Sequence, residues 1–331
     1  KRGVWAMKKV GLVLLLILLL IMFWNFDFSG FTFIIKQLPP LAFILLLCMQ
    51  VVSQILVNYQ WSRIAKAMNK KHGFIKFFYI NARGAIIEAV TPGAKVGGEV
   101  TRALLLKKEL KYSPGESATL VTIQKMISLF SFFIINIFAF ASLSRKIESF
   151  QGIGTKAIVY FFLLVLVIFL VSFFSFTSKL ENKIESINFK YKWAKVLQGY
   201  MIVLLKNIKI MKNIKGELYK QIVLSLIIWF LFPVKMILLV HFLNIGYDPI
   251  ILMEVTFISY MVGMIPLLPG GLGSFEATMT SLFMVMEIKA SDALAISLLF
   301  RFITFWFVVV LSLIFVGICK VGERRRWNWI E

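Results

Sequence analysis

Cysteine, histidine and acidic residues are scarce in this 331-residue chain. It has two cysteines, two histidines and 16 Asp or Glu residues, against 37 Lys or Arg. Cys48 and Cys319 both lie inside hydrophobic runs and have no cysteine near them in sequence, so we expect neither a disulfide framework nor a cysteine-based metal site. His72 and His241 are far apart, so the sequence offers no paired metal ligands, and we expect no metal and no other cofactor.

The sequence also lacks the motifs of several enzyme classes. It has no nucleophile elbow and no P-loop. Gly271 and Gly273 could belong to a phosphate-binding G-x-G, but no strand–helix unit surrounds them. We therefore assign no catalytic residue and expect a transporter, with a membrane-embedded lipid transferase as the alternative.

Hydrophobic residues are abundant and account for 60% of the chain, whereas about half is usual in soluble domains. Several runs approach the roughly 20 residues with which a helix crosses about 30 Å of hydrocarbon. These runs are residues 10–24, 38–57, 120–143, 157–176, 222–242 and 293–318. The sequence thus predicts an all-α polytopic membrane protein, a single domain over 1–331 with six full transmembrane helices.

The formal net charge of +21 does not indicate nucleic-acid binding in such a protein. Lys and Arg collect in the cytoplasmic loops of polytopic proteins, where they set the orientation. Basic clusters precede the first run, follow the second, fill 179–220 and follow the last. This distribution predicts that both termini are cytoplasmic.

Two apolar segments are interrupted where a membrane is expected. Residues 77–106 have cytoplasmic charge at both ends and are broken at Thr91, Pro92 and Gly93, so we expect a re-entrant hairpin. Residues 250–287 must begin and end outside and are broken between Pro266 and Gly273, which predicts a second hairpin from the opposite face.

The two breaks repeat one pattern. Proline, glycine, five residues and glutamate occur as Pro92, Gly93 and Glu99, and again as Pro269, Gly270 and Glu276. Further glycines lie between them, namely Gly97, Gly98, Gly271 and Gly273. We infer an inverted repeat of 38–143 and 219–318, an organisation typical of secondary transporters whose broken helices meet near the midplane.

Irregular backbone at membrane depth needs protein or a water-filled cavity to satisfy its polar groups, so the breaks predict a polar cavity. Helix N-termini near Gly98 and Ser274 would make it attractive to anions. Glu99 and Glu276 lie in the first turns, where they either cap their helices or bind a cationic group or coupling proton. The other candidates for headgroup binding or coupling are Glu88, Arg102, Lys235 and Arg301, and Arg102 could instead pair locally with Glu99.

Two further polar patterns are present. Gln50, Gln54 and Asn58 share one helix face, which favours interhelical hydrogen bonding or cavity lining. Segment 179–218 predicts a basic amphipathic region on anionic cytoplasmic lipid. The lysines expected to contact that surface are Lys206, Lys209, Lys212 and Lys215.

The strings "PGGLGSFE" at 269–276 and "TPGAKVGGEVTRALLLKK" at 91–108 resemble the lysylphosphatidylglycerol synthase transmembrane-region family. The resemblance extends over about residues 7–320. It implies a flippase-like protein of a prokaryotic plasma membrane that moves an anionic or aminoacylated phospholipid. A phosphatidylglycerol lysyltransferase role is the enzymatic alternative. The resemblance leaves open which lipid moves and whether a homodimer forms.

Overall fold

The computed structural model describes residues 32, 35–91, 96–147, 151–187, 191–214, 216–265 and 269–324. All regular structure in these residues is helical. The helices are α1 Pro40–Ala67, α2 Phe74–Val90, α3 Val96–Leu110, α4 Pro114–Lys146, α5 Ile153–Ser175, α6 Thr177–Ser186, α7 Lys192–Asn213, α8 Glu217–Phe242, α9 Pro249–Gly263, α10 Ser274–Val285, α11 Ala290–Arg301 and α12 Phe307–Arg324. A 3₁₀ turn at Pro269–Gly271 precedes α10, and a π turn at Phe302–Trp306 joins α11 to α12.

Five helical segments are long and apolar enough to cross a membrane. They are Pro40–Ala67, Pro114–Lys146, Ile153–Ser175, Glu217–Phe242 and Ala290–Val321. Each coincides with a hydrophobic run that the sequence predicts as a crossing. The sixth predicted crossing, residues 10–24, lies outside the described residues.

Local sequence accounts for several helix ends. Ser113 accepts a hydrogen bond from the Glu116 backbone N–H, and the Glu116 carboxylate accepts one from the Ser113 backbone N–H, so α4 starts with a capping box. Asp248 caps α9 through the N–H of Ile250, directly before Pro249. Capping residues, and not hydrophobic composition alone, therefore determine where α4 and α9 begin.

The short helices form two pairs, α2 with α3 and α9 with α10, which pack at opposite ends of the long helices. The first pair contributes Phe77 and Leu106 to a core cluster with Trp61 and Ile64, near the C-terminal end of α1. The second pair contributes residues to a separate cluster with the N-terminal end of α1 and the C-terminal ends of α4 and α8. That cluster includes Leu38, Ala42, Leu143, Leu243, Leu252 and Leu282.

The second break, at the 3₁₀ turn, approaches the first pair. Residues of α2 contact Pro269–Gly271, and α2 also packs along α12. Pro92 and Gly93, the predicted first break, lie outside the described residues, but the two helices that flank them pack closely on each other.

The basic segment folds as α6 and α7. Helix α7 packs on α4 and α6 and buries Leu204, Leu205, Ile208 and Met211. Lys206 and Lys209 pair with Glu185 and Glu181 of α6 at 3.2 and 3.5 Å, and Lys212 donates to the Phe174 carbonyl at 2.9 Å. Lys215 is outside the described residues.

Candidate functional site

A cavity of about 240 Å³ lies where the two helix pairs approach each other. Its wall is built from α1, α2, α3, α4, α8, α9, α10, α11, α12 and both irregular turns. Polar side chains from both halves of the chain line it, among them Gln54, Asn81, Glu99, Arg102, Gln124 and Arg301. The polar cavity predicted from the helix breaks is therefore present in the structure, and it draws on both halves.

Arg102 is the centre of the charge cluster in the first half. Its guanidinium contacts the Glu88 carboxylate of α2 at 3.0 Å and the Glu99 carboxylate, one turn earlier in α3, at 3.5 Å. Lys125 of α4 reaches the same Glu99 oxygen at 3.5 Å. The local Arg102–Glu99 pair weighed from the sequence is thus formed, and Glu88 and Lys125 join it. The other Glu99 oxygen, Oε2, is buried and accepts no hydrogen bond from a described residue.

Close helix contact brings these groups together. A Cβ on Gly98 would lie 2.9 Å from Cβ of Glu88 and 3.0 Å from the Gly84 carbonyl oxygen. A side chain at this position would therefore push α3 away from α2 and separate Arg102 from Glu88. The glycine predicted as part of the break instead permits close packing of the two helices.

Arg301 is the centre of the cluster in the second half. Its side chain pairs with the Glu276 carboxylate at 3.2 Å and donates to the Gly270 carbonyl. Its guanidinium also lies over the rings of Phe275 and Phe305, at 4.8 and 4.4 Å from their centroids. Arg301 therefore fixes the 3₁₀ turn against the last transmembrane segment.

Glu276 has two partners. Its Oε2 accepts a 2.7 Å hydrogen bond from the Gly273 backbone N–H at the start of α10. Glu276 therefore caps its own helix, which is one of the two roles predicted for it from the sequence. Its other oxygen faces Arg301. Both carboxylate oxygens therefore lie next to groups of the protein itself, and Glu276 is only 4% exposed.

Lys235 is buried completely in α8. Its ammonium group donates to Gln50 Oε1 and to Ser53 Oγ, the latter at 3.0 Å, and lies 4.4 Å from the centroid of the Phe232 ring. Gln50 lines the cavity and also donates to the Thr304 carbonyl at 3.4 Å. Lys235 therefore lies behind Gln50, whose side chain separates it from the cavity.

The Thr304 carbonyl belongs to the π turn that follows Arg301. Such turns widen a helix by one residue, free a carbonyl from its usual partner and occur often at functional sites. Here the turn places Thr304 and Phe305 on the cavity wall. No feature of the sequence predicted it.

The polar stripe on α1 serves both purposes considered from the sequence. Gln50 and Gln54 line the cavity, whereas Asn58 accepts a hydrogen bond of 2.9 Å from Asn81 of α2. Gln60 lies on another face of α1 and also lines the cavity; it donates to the Gln221 carbonyl at 3.3 Å and accepts from Gln124 at 3.2 Å.

Sequence reasoning missed Gln60, Asn81 and Gln124 as lining residues. Their signal was an amide inside a long apolar helix, where an unsatisfied polar group is costly. Glu254 of α9 is also buried but does not line the cavity; it pairs with Lys146 at 3.3 Å.

These features define a class, a polytopic helical membrane protein whose two short helix pairs enclose a charged cavity. The sequence profile of the lysylphosphatidylglycerol synthase TM region matches residues 9–312. The chain belongs to this family, as its glycine-rich strings indicated.

Three relatives are similar over most of their length, and all are UPF0104 membrane proteins of archaea. The one from Methanocaldococcus jannaschii is 26% identical over 93% of this chain and 94% of its own. The one from Pyrococcus horikoshii is 25% identical over 96% and 98%, and one from Methanothermobacter thermautotrophicus is 22% identical over 83% and 84%. None of these names states an activity.

Proposed function

We propose that this protein is a flippase that moves an anionic or aminoacylated phospholipid between the two leaflets. The observation that carries the proposal is the meeting of Arg102 and Arg301, from opposite halves of the chain, at one cavity. The headgroup enters this cavity while the acyl chains stay in the bilayer. Family membership supports a membrane function related to lipids and does not identify the lipid.

Helix lengths support a re-entrant arrangement of both pairs. At 1.5 Å per residue, α2 would be about 26 Å long and α10 about 18 Å, less than the roughly 30 Å of hydrocarbon. The two pairs also pack at opposite ends of α1 and α4. In the proposal, each pair enters from its own face and turns back, so that the halves form an inverted repeat around the cavity.

The size of the cavity suits a headgroup. Pockets for drug-sized molecules occupy roughly 300–1,000 Å³, and about 240 Å³ is smaller than that range. A translocated lipid would therefore place only its polar part between the helix pairs. The arginines would contact the phosphate, and Glu99, whose Oε2 accepts no hydrogen bond from a described residue, would serve coupling or an amine.

The basic helix α7 adds a second proposed contact, with the anionic surface of the cytoplasmic leaflet. Lys206 and Lys209 are each about half exposed despite their partners in α6. Their charge remains available to lipid phosphates, each worth about 1 kcal/mol near an anionic surface.

Reconstitution into liposomes tests the flippase. A fluorescent phosphatidylglycerol analogue is placed in one leaflet, and its accessibility to a membrane-impermeant reductant is followed over time. We expect the wild-type protein to accelerate transbilayer movement and Arg102→Gln to reduce that acceleration at least tenfold.

Arg83→Gln is the matched control. Arg83 lies on α2, about one-third exposed and 3.9 Å from Glu109, so its loss leaves the cavity intact. Equal movement with empty and protein-containing liposomes would reject the flippase. Formation of a lysylated lipid from lysyl-tRNA and phosphatidylglycerol would favour the transferase instead.

A further inference from the structure

Amides and aromatic rings line the cavity between the charged clusters, and they indicate what kind of headgroup the cavity accepts. We propose that the headgroup is a monoanionic phosphodiester rich in hydroxyl groups, such as a phosphoglycerol, phosphoinositol or phosphosugar, and not an aminoacyl group. This inference rests on the proposed flippase function and specifies its substrate class.

The amides supply paired donors and acceptors. Gln50, Gln54, Gln60, Asn81 and Gln124 all line the cavity. An amide presents both an N–H donor and a C=O acceptor, as does each hydroxyl group, so an amide wall matches a polyol better than it matches an ammonium group, which only donates.

One of these amides, Asn81, has unused hydrogen-bonding capacity. Asn81 is 7% exposed, and its carbonyl oxygen accepts no hydrogen bond from a described residue. A buried amide oxygen without a donor is costly, which points to a ligand that supplies one. Gln54 lies one turn from Gln50 on the same face, so a hydroxyl group could bridge the α1 and α2 sides of the cavity.

Aromatic side chains supply apolar surface for the carbon skeleton of the headgroup. Trp61, Trp229, Phe232, Tyr260 and Phe305 line the same cavity. Their rings offer broad apolar faces beside polar edges. The C–H bonds of a polyol or sugar ring can pack against those faces while its hydroxyl groups reach the amides.

The charge pairing disfavours an aminoacyl headgroup. Glu88 and Glu99 contact Arg102, Glu99 also contacts Lys125, and Glu276 contacts Arg301. A lysyl ammonium group could reach Glu99 Oε2, but it would add a positive charge beside carboxylates that are already paired with cations.

Lys235 adds one further positive charge behind Gln50, and within the described chain its hydrogen bonds go to an amide and a hydroxyl rather than to a carboxylate. One surplus cation near the cavity suits one phosphodiester charge. Charge balance and the amide wall therefore favour the same class of headgroup.

Lipids of equal charge test the inference. Phosphatidylmethanol, phosphatidylglycerol and phosphatidylinositol each carry one negative charge and have increasing numbers of hydroxyl groups. In liposomes containing the wild-type protein, we expect movement to be fastest for phosphatidylinositol and slowest for phosphatidylmethanol, with at least a tenfold span. Lysylphosphatidylglycerol should move more slowly than phosphatidylglycerol.

Variants that lack single amides test which residues produce the selectivity between headgroups. Gln54→Leu and Gln124→Leu remove amides from the wall and should reduce the phosphatidylinositol-to-phosphatidylmethanol rate ratio by about three- to tenfold each, as expected for one lost hydrogen bond. Gln151→Leu is the control, because Gln151 is exposed and donates to the Arg145 carbonyl far from the cavity. Melting temperatures establish that the variants are folded.

The outcomes separate the two proposals. If no lipid moves, the flippase function fails. If all three anionic lipids move at one rate, or lysylphosphatidylglycerol moves fastest, the flippase survives and the hydroxyl-rich headgroup is rejected. An unchanged ratio in both folded amide variants would also overturn it.

Discussion

The side chain of Arg301 donates a hydrogen bond to the backbone carbonyl of Gly270, 31 residues earlier in the chain. Gly270 has a positive φ of 64°, in the 3₁₀ turn that interrupts the second helix pair. A carbonyl released where a helix is broken needs a donor, either from the protein or from water in a cavity. Arg301 is that donor, so the last transmembrane segment and the second break depend on each other.

This relationship predicts coupled effects on stability and movement. Arg301→Ala removes the donor to Gly270 and leaves Glu276 buried without its cation, which typically costs 3–5 kcal/mol when one partner of a buried pair is lost. We expect a melting temperature lower by about 5–10 °C and loss of lipid movement in the liposome assay.

Glu276→Gln separates the two roles. The amide oxygen can still accept from the Gly273 N–H, whereas the charge facing Arg301 is lost. Movement should fall at least tenfold while the protein elutes as a folded species on size exclusion. Normal movement in both variants would remove Arg301 and Glu276 from the mechanism.

Gly271 is the second position at which the break is sterically defined. Its φ is +71°, and a Cβ there would lie 2.3 Å from the Gly263 carbonyl oxygen. Because the obstacle is backbone, it cannot rotate away, and Gly271→Ala should lower the melting temperature by several degrees. Gly317→Ala, in open space within α12, should leave it unchanged or higher. Equal melting temperatures would show that the turn tolerates a side chain.

The sequence predicted the charged part of the site because the pattern around Glu99 recurs around Glu276. Ionisable residues are rare in apolar segments, so Arg102, Arg301 and Lys235 stood out. Those signals are local in the chain and need no knowledge of helix rotation. In the structure Arg102 and Arg301 line one cavity, and Lys235 lies behind Gln50 of the same wall.

The amide wall could not be predicted in the same way. In a soluble protein, the apolar stripe shows which helix face is buried, but a helix in lipid is apolar on its outer face as well. The faces carrying Asn81 and Gln124 were therefore ambiguous. The π turn depends on packing around Thr304 and has no sequence pattern of its own.

His72, in the connection between α1 and α2, predicts a pH effect outside the membrane-spanning helices. Burial, with the nearby positive charges of Lys76 and Lys70, lowers the pKa of this histidine below its usual 6.5. The unfolded chain therefore binds a proton that the folded chain resists, and stability should fall as the pH drops below 6.5.

Melting temperatures between pH 7.5 and 5.5 measure this effect. His72→Gln should flatten the profile, whereas His241→Gln, an exposed site at the end of α8, should follow the wild type. Parallel profiles for all three proteins would assign the pH dependence elsewhere.

Lys235→Met tests whether the buried ammonium group serves movement or folding. The substitution removes the cost of burying a charge but leaves Gln50 Oε1 and Ser53 Oγ without their donor, and these opposing terms should nearly cancel in stability. We expect a melting temperature within a few degrees of the wild type. Movement of anionic lipids should fall at least tenfold, because the surplus positive charge behind the cavity is gone. Lys220→Met, an exposed lysine of the same helix, controls for loss of charge alone. If Lys235→Met moves phosphatidylglycerol at the wild-type rate, the charge has no part in substrate recognition.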